Sequence, residues 1–133
     1  MLQPTSPLRH SKDIELSYKQ LKKEKKNSLF SGNYFNDLMI WNKNKKLKSL
    51  NYDVKNRKRR QDHNGTIIEN GSIYVFESNY ILENFNRIDP ESVAFYKMNT
   101  LQFLEIDDLN NFKVCEKVFI NKLPILFFHC SIL

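Results

Sequence analysis

At 133 residues, with 41% hydrophobic and 13% aromatic residues, the chain has room for a single domain with a real core, and 27% charged residues is the balance of a soluble protein. Three well-separated glycines (Gly32, Gly65, Gly71) exclude a Walker-type or GxGxxG phosphate loop, and two cysteines, Cys115 and Cys130, with no CxxC or Cys/His cluster, suggest no disulfide framework and give no zinc signature. The net charge of +6 calls for anionic partners or a solvated basic surface.

In chain order, Met1 is followed by Leu2-Gln3-Pro4-Thr5-Ser6-Pro7-Leu8-Arg9, where two prolines leave Thr5 and Ser6 few conformations. Such a segment is either a plain connection or a stiff polar loop presenting Gln3, Thr5, Ser6 and Arg9 to a ligand. Ser11 to about Lys26 reads as a helix. Ser11 is its N-cap, Asp13 and Glu15 stand in the first turn, lysines in the last, and Ile14, Tyr18 and Leu21 form the buried stripe. Ser28 to Ser31 is a short strand ended by Gly32-Asn33. Phe35 to Trp41 and Lys46 to Leu50 read as a hairpin about residues 42–45, with Phe35, Met39 and Trp41 on its apolar face.

Nine basic residues (Lys43, Lys45, Lys46, Lys48, Lys55, Arg57, Lys58, Arg59, Arg60) then stand with Asp53 as the acid among them. They suit nucleic acid, an anionic small substrate or plain solvation. Tyr52 is the lone aromatic within that run, which counts against nucleic acid. Thr66 to Glu69 and Ser72 to Phe76 are expected as strands flanking an Asn70-Gly71 turn, with one face of the second strand in the core. Residues 79–86 form a helix and Val93 to Met98 a strand. Phe103 to Asp107 is expected as a strand that puts Glu105 and Asp107 on one face, where a hard cation such as Mg²⁺ would separate two carboxylates. Asp108 caps a closing helix whose buried stripe is Phe112, Cys115, Val118 and Phe119. The longest apolar run, Leu123 to Phe128, is broken by Pro124 and reads as a short strand or frayed tail; no run approaches a membrane span and no signal pattern opens the chain, so a cytoplasmic protein is expected.

Four motifs in order, Leu2 to Arg9, Arg59-Arg60-Gln61-Asp62, Glu69-Asn70-Gly71-Ser72-Ile73-Tyr74 and Glu105-Ile106-Asp107, resemble the acylneuraminate cytidylyltransferases, which make CMP-sialic acid and related CMP-nonulosonic acids. The resemblance runs from Leu2 to about Val118 and covers the back part of a family member, without the glycine-rich nucleotide loop. It implies an α/β, Rossmann-like nucleotidyltransferase domain of the nucleotide-diphospho-sugar transferase type, N-terminally truncated. Residues 1–122 would form the partial domain, with a hairpin dimer arm at about 33–51, and 123–133 a tail. It further implies CTP and a nonulosonic acid as substrates, Gln3, Arg60 and Asn70 as sugar contacts, Mg²⁺ on Glu105 and Asp107, and a homodimer. The arm lacks the family's His-Pro pair, and Glu105 stands where Asp is common. Lacking the glycine loop, the chain by itself is expected to bind CTP weakly, to turn over slowly and to leave a sheet edge and apolar surface uncovered. The alternatives are an inactive homologue and a small basic nucleic-acid-binding protein.

Overall fold

A computed structural model describes residues 1–43, 46–62 and 65–130, the segment 122–130 by its backbone alone. Among the described residues the chain is mixed α/β, with three α-helices and a three-stranded mixed sheet. It divides into two compact units, Met1–Asn33 with Glu69–Leu133, and Tyr34–Ile68.

In the first unit α1 spans Ser11–Glu24. Its N-cap is His10 and not the expected Ser11, because Asp13 Oδ2 accepts from the His10 backbone N–H at 3.0 Å and closes the first turn one residue earlier. Ser17 and Leu21 are its buried residues, whereas Ile14 and Tyr18 are 37% and 53% exposed. The expected stripe is therefore rotated. Polar anchors set that rotation: Gln20 Nε2 donates to Phe95 O at 2.7 Å, and Tyr96 Oη donates to Asp13 Oδ1 at 3.1 Å.

β1 spans Ser28–Phe35 and does not stop at Gly32-Asn33. Gly32 lies opposite Lys97 in the parallel ladder with β5 (Val93–Lys97), and Gly32 O accepts from Met98 N at 2.9 Å, so pairing outweighs glycine's freedom. β4 (Thr66–Phe76) lies on the other side of β1, giving the order β4-β1-β5. Leu21, Leu29 and Ala94 form the core where α1 meets the sheet, with Val75 and Tyr96 packed on it.

Asn70-Gly71 is not a reversal between two strands. β4 runs through it, with Gly71 at φ +65°, a glycine irregularity inside one strand. The edge of β4 is taken by the N-terminal segment. Leu2 bridges Ile73 in antiparallel fashion, Tyr74 N donates to Met1 O at 3.0 Å, and the Met1 amino group donates to Tyr74 O at 2.7 Å. Ser72, Ile73 and Tyr74 are consequently all buried, so both faces of the strand are covered there and not one. Apolar surface remains beside it, at Met1, Leu2, Ile14 and Tyr18.

α2 spans Ser78–Asn84, close to the expected helix. Residues 104–108 follow a 3-10 turn (Thr100–Phe103) and form no strand; the Asn99 side chain caps that turn and accepts from Leu101 N at 3.0 Å. α3 runs Leu109–Cys130, so the stretch expected as a strand or frayed tail is helical backbone, Pro124 included; short apolar runs are ambiguous between the two periods. Asp108 caps it as expected, its Oδ1 accepting from Asn111 N at 2.8 Å. Of the expected stripe Cys115 is buried, while Phe112 and Phe119 are about half exposed and line an open apolar groove with Pro7 and Ile106.

In the second unit the hairpin shrinks to β2 (Trp41–Asn42) and β3 (Lys48–Ser49), paired antiparallel; its tip at Asn44 and Lys45 lies outside the described residues. Side chains compete for the backbone here. Asn51 Oδ1 accepts from Ile40 N at 3.0 Å, Asn51 Nδ2 donates to Asp37 O at 2.7 Å, and Ser49 Oγ donates to Tyr52 O at 2.8 Å. No described helix is long and apolar enough to cross a membrane.

Candidate functional site

The Pro-rich segment is held by its own arginine. Arg9 Nη1 donates to Gln3 O at 3.2 Å, to Ser72 O at 2.8 Å and to Ser72 Oγ at 3.2 Å, so Arg9 ties the segment to β4 and is not held out for a ligand. The segment also anchors the acidic stretch, because Ile106 N donates to Thr5 O at 2.9 Å. Ser6 is buried, and its Oγ has no partner among the described residues.

These anchors bring Gln3, Gly71 and Glu105 together. With its amide nitrogen turned toward them, Gln3 donates to Gly71 O at 2.9 Å and to Glu105 Oε1 at 3.3 Å; the opposite assignment would face oxygen with oxygen. A Cβ built on Gly71 would stand 2.5 Å from Glu105 Oε1 and closer still to the Gln3 amide. The missing side chain is what lets the two groups meet.

Asn70 sits one residue earlier and faces inward. It is 2% exposed. Its Oδ1 accepts from Ser31 Oγ at 2.7 Å and from Ser72 N at 3.2 Å, and its Nδ2 donates toward Met98 Sδ at 3.3 Å. The amide expected to face a sugar acid is thus committed within the protein, where it braces the strand irregularity against β1 and the Met98–Gln102 segment. Sequence reasoning missed this brace, since nothing in Ser31 or Gln102 marks them as partners of Asn70.

Glu105 is half-buried, and its carboxyl is raised above the usual range, first by burial and then by the negative charges of Asp107 and Glu69. Glu69 has its own support, as Tyr74 Oη donates to it and the Arg87 guanidinium lies 3.8 Å from its Oε1 while stacking 4.3 Å above the Tyr74 ring. Asp107 is exposed; its backbone N–H donates to Asn111 Oδ1 at 3.3 Å. No group of three or more His, Cys, Asp or Glu that could hold a metal occurs among the described residues. Mg²⁺ needs fewer, since one or two carboxylates with water and substrate phosphate satisfy it. The shared strand face expected for Glu105 and Asp107 is absent with the strand, and what the pair offers such an ion is its chemistry: hard oxygens, and a carboxyl that the negative charge of Asp107 helps to raise.

Arg60 belongs to the second unit, in a 3-10 turn (Arg60–Asp62), where its Nη2 lies 2.7 Å from Asp37 Oδ1. Arg57, Lys58, Arg59 and Arg60 line one groove there with Asp37, Leu38 and Met39. Cys115 is a free buried thiol, pushed up by burial, which disfavours the thiolate. Comparison with family models and with curated proteins gives no match to this chain.

Proposed function

We propose that the first unit is the sugar-acid and metal side of a Rossmann-like cytidylyltransferase, acting on CTP and a nonulosonic acid to give the CMP-sugar and pyrophosphate in the cytoplasm. The observation that carries it is the junction of Gln3, Gly71 and Glu105, since three of the four family motifs meet there through a glycine whose side-chain space is used. The parallel β1–β5 pair agrees with that fold class. Gln3 would orient the sugar acid, Asn70 would hold the backbone that carries Gly71, and Arg60 enters by its motif alone. Glu105 and Asp107 would hold Mg²⁺, which when bound offsets charge on the nucleotide phosphates.

The test is saturation-transfer NMR with a panel of nonulosonic acids, followed by pyrophosphate release on adding CTP and Mg²⁺. Sugar-acid binding that Gly71→Ala abolishes, with slow release that depends on Glu105, is the expected result. Binding of none of the acids, or binding indifferent to Gly71→Ala, would refute the assignment.

A further inference from the structure

The second unit carries a different chemistry. Residues 34–68 hold nine Lys or Arg against three Asp, so the whole net charge of +6 resides in them and the rest of the chain is balanced. Four of the basic side chains, Arg57 to Arg60, border a groove of about 270 Å³ lined also by Asp37, Leu38 and Met39. Two of the three acids face this run. Arg59 Nε lies 2.8 Å from Asp62 Oδ2 with side chains 75% and 45% exposed, and Arg60 pairs with Asp37 at 71% and 30% exposed. The third, Asp53, accepts from Lys55 N at 2.9 Å. The Arg59–Asp62 pair is exposed at both ends and holds weakly, so a phosphate can compete for the Arg59 guanidinium, whereas Arg60 meets an Asp37 Oδ1 that is closed off from solvent. Lys46, Lys48 and Lys58 are exposed and make no ion pair among the described residues.

Aromatic rings, scarce in the basic run by sequence, are brought beside it by the fold. Trp41 in β2 packs edge-on against Tyr52 with ring centroids 5.9 Å apart, and the Arg57 guanidinium lies 5.2 Å from the centre of the Tyr52 ring. Trp41 is 43% exposed and Met39 59%. An indole open to solvent, a tyrosine and a stacked guanidinium therefore adjoin a groove bordered by four consecutive cations. Backbone charge read by cations and bases read by open π faces is the recognition chemistry of unpaired nucleic acid. A rigid duplex would need a helix or ribbon for its groove, and the hairpin beside the basic groove has strands of only two residues.

We propose that the Tyr34–Ile68 unit binds single-stranded nucleic acid, its phosphates along Arg57 to Arg60 and a base on Trp41. The site uses none of the first unit's residues and shares with the cytidylyltransferase assignment only Arg60, which the variants below leave in place. Because Trp41 is the sole tryptophan of the chain, its fluorescence reports on the site directly.

The experiment titrates the full chain with a labelled oligothymidylate of about 20 nucleotides at about 50 mM KCl, following anisotropy and tryptophan emission. Binding with quenched emission is expected, with an affinity that falls with salt at a log–log slope near −0.7 per phosphate contact. Lys58→Ala with Arg59→Ala should weaken it about tenfold and flatten the slope by about 1.4, while Trp41→Phe keeps more affinity than Trp41→Ala. Circular dichroism verifies that each variant is folded. Four results would overturn the proposal: no binding; equal binding of heparin with emission unchanged, which is charge alone; a stronger emission shift with phosphatidylserine vesicles than with the oligonucleotide, which is a membrane surface; or a light-scattering dimer in which Trp41 is shielded from iodide, which is self-association through the arm.

Discussion

Gln3 and Glu105, far apart in sequence, meet across Gly71, the Gln3 amide donating to Glu105 Oε1 at 3.3 Å over a residue that has no side chain to separate them. Gly71→Ala should therefore do two things. The left-handed φ of +65° costs an alanine about 1–2 kcal/mol, and the methyl would also push the two side chains apart. Gly65, at φ +79° in the other unit, supplies the control, since Gly65→Ala meets Asn36 Oδ1 at 2.8 Å and none of the candidate-site residues. Thermal unfolding should show both variants destabilised, with ligand and metal binding lost in Gly71→Ala alone. Intact binding in Gly71→Ala would mean the junction is not the site.

Glu105 gives a prediction in pH. Its folded pKa is raised above the unfolded value, so the protonated carboxyl is the better-tolerated form in the fold. Its contribution to stability is full below the ordinary carboxylate range and is lost as pH rises through the raised folded value. Glu105→Gln should consequently raise the melting temperature near neutral pH, and the gain should shrink to nothing as pH falls below the ordinary range. Mg²⁺ should stabilise the parent chain and leave Glu105→Gln unmoved. A melting difference that is flat with pH would contradict this account of the carboxyl.

Helix ends give a third. α1 closes on Lys25 and α2 on Phe85, both at φ +52°, a region where glycine is at ease and a side chain is strained. Phe85 is 93% exposed and has little packing to lose. Phe85→Gly should therefore stabilise by about 1 kcal/mol, read as a higher urea midpoint at unchanged m. An unchanged or lower midpoint would show that the ring has a contact that its exposure hides.

The sequence made some of this legible and not the rest, for physical reasons. Asp108 was readable as a cap because capping is local, as was β5 from its short run of apolar and aromatic residues. The course of β4 was not. Asn-Gly is a hairpin signal in isolation, and the Ser31, Ser72 and Gln102 partners that turn it into an irregularity within one strand are set by tertiary pairing. The Ile14–Tyr18 stripe failed for a related reason, since period alone cannot show that Asp13 and Gln20 would be claimed by β5. Of the candidate site, Glu105 and Gln3 were visible as chemistry, while Gly71 as the space between them required the fold. Asn70 was visible as a polar residue but not as a buried brace. In the arm, Trp41 was legible as an apolar hairpin residue but not as a neighbour of Tyr52, which lies beyond β3 and meets it edge-on.

The claim on which the functional account rests is that Glu105 and Asp107 hold a divalent cation for a nucleotide. Electron paramagnetic resonance of Mn²⁺, as a stand-in for Mg²⁺, measures it directly by loss of the free-ion signal on adding protein, with and without CTP. The account predicts a single site that CTP tightens and that the double substitution Glu105→Gln with Asp107→Asn removes, in a chain whose circular dichroism is unchanged. Mn²⁺ binding identical in the parent and the double variant, or no binding with CTP present, would contradict it.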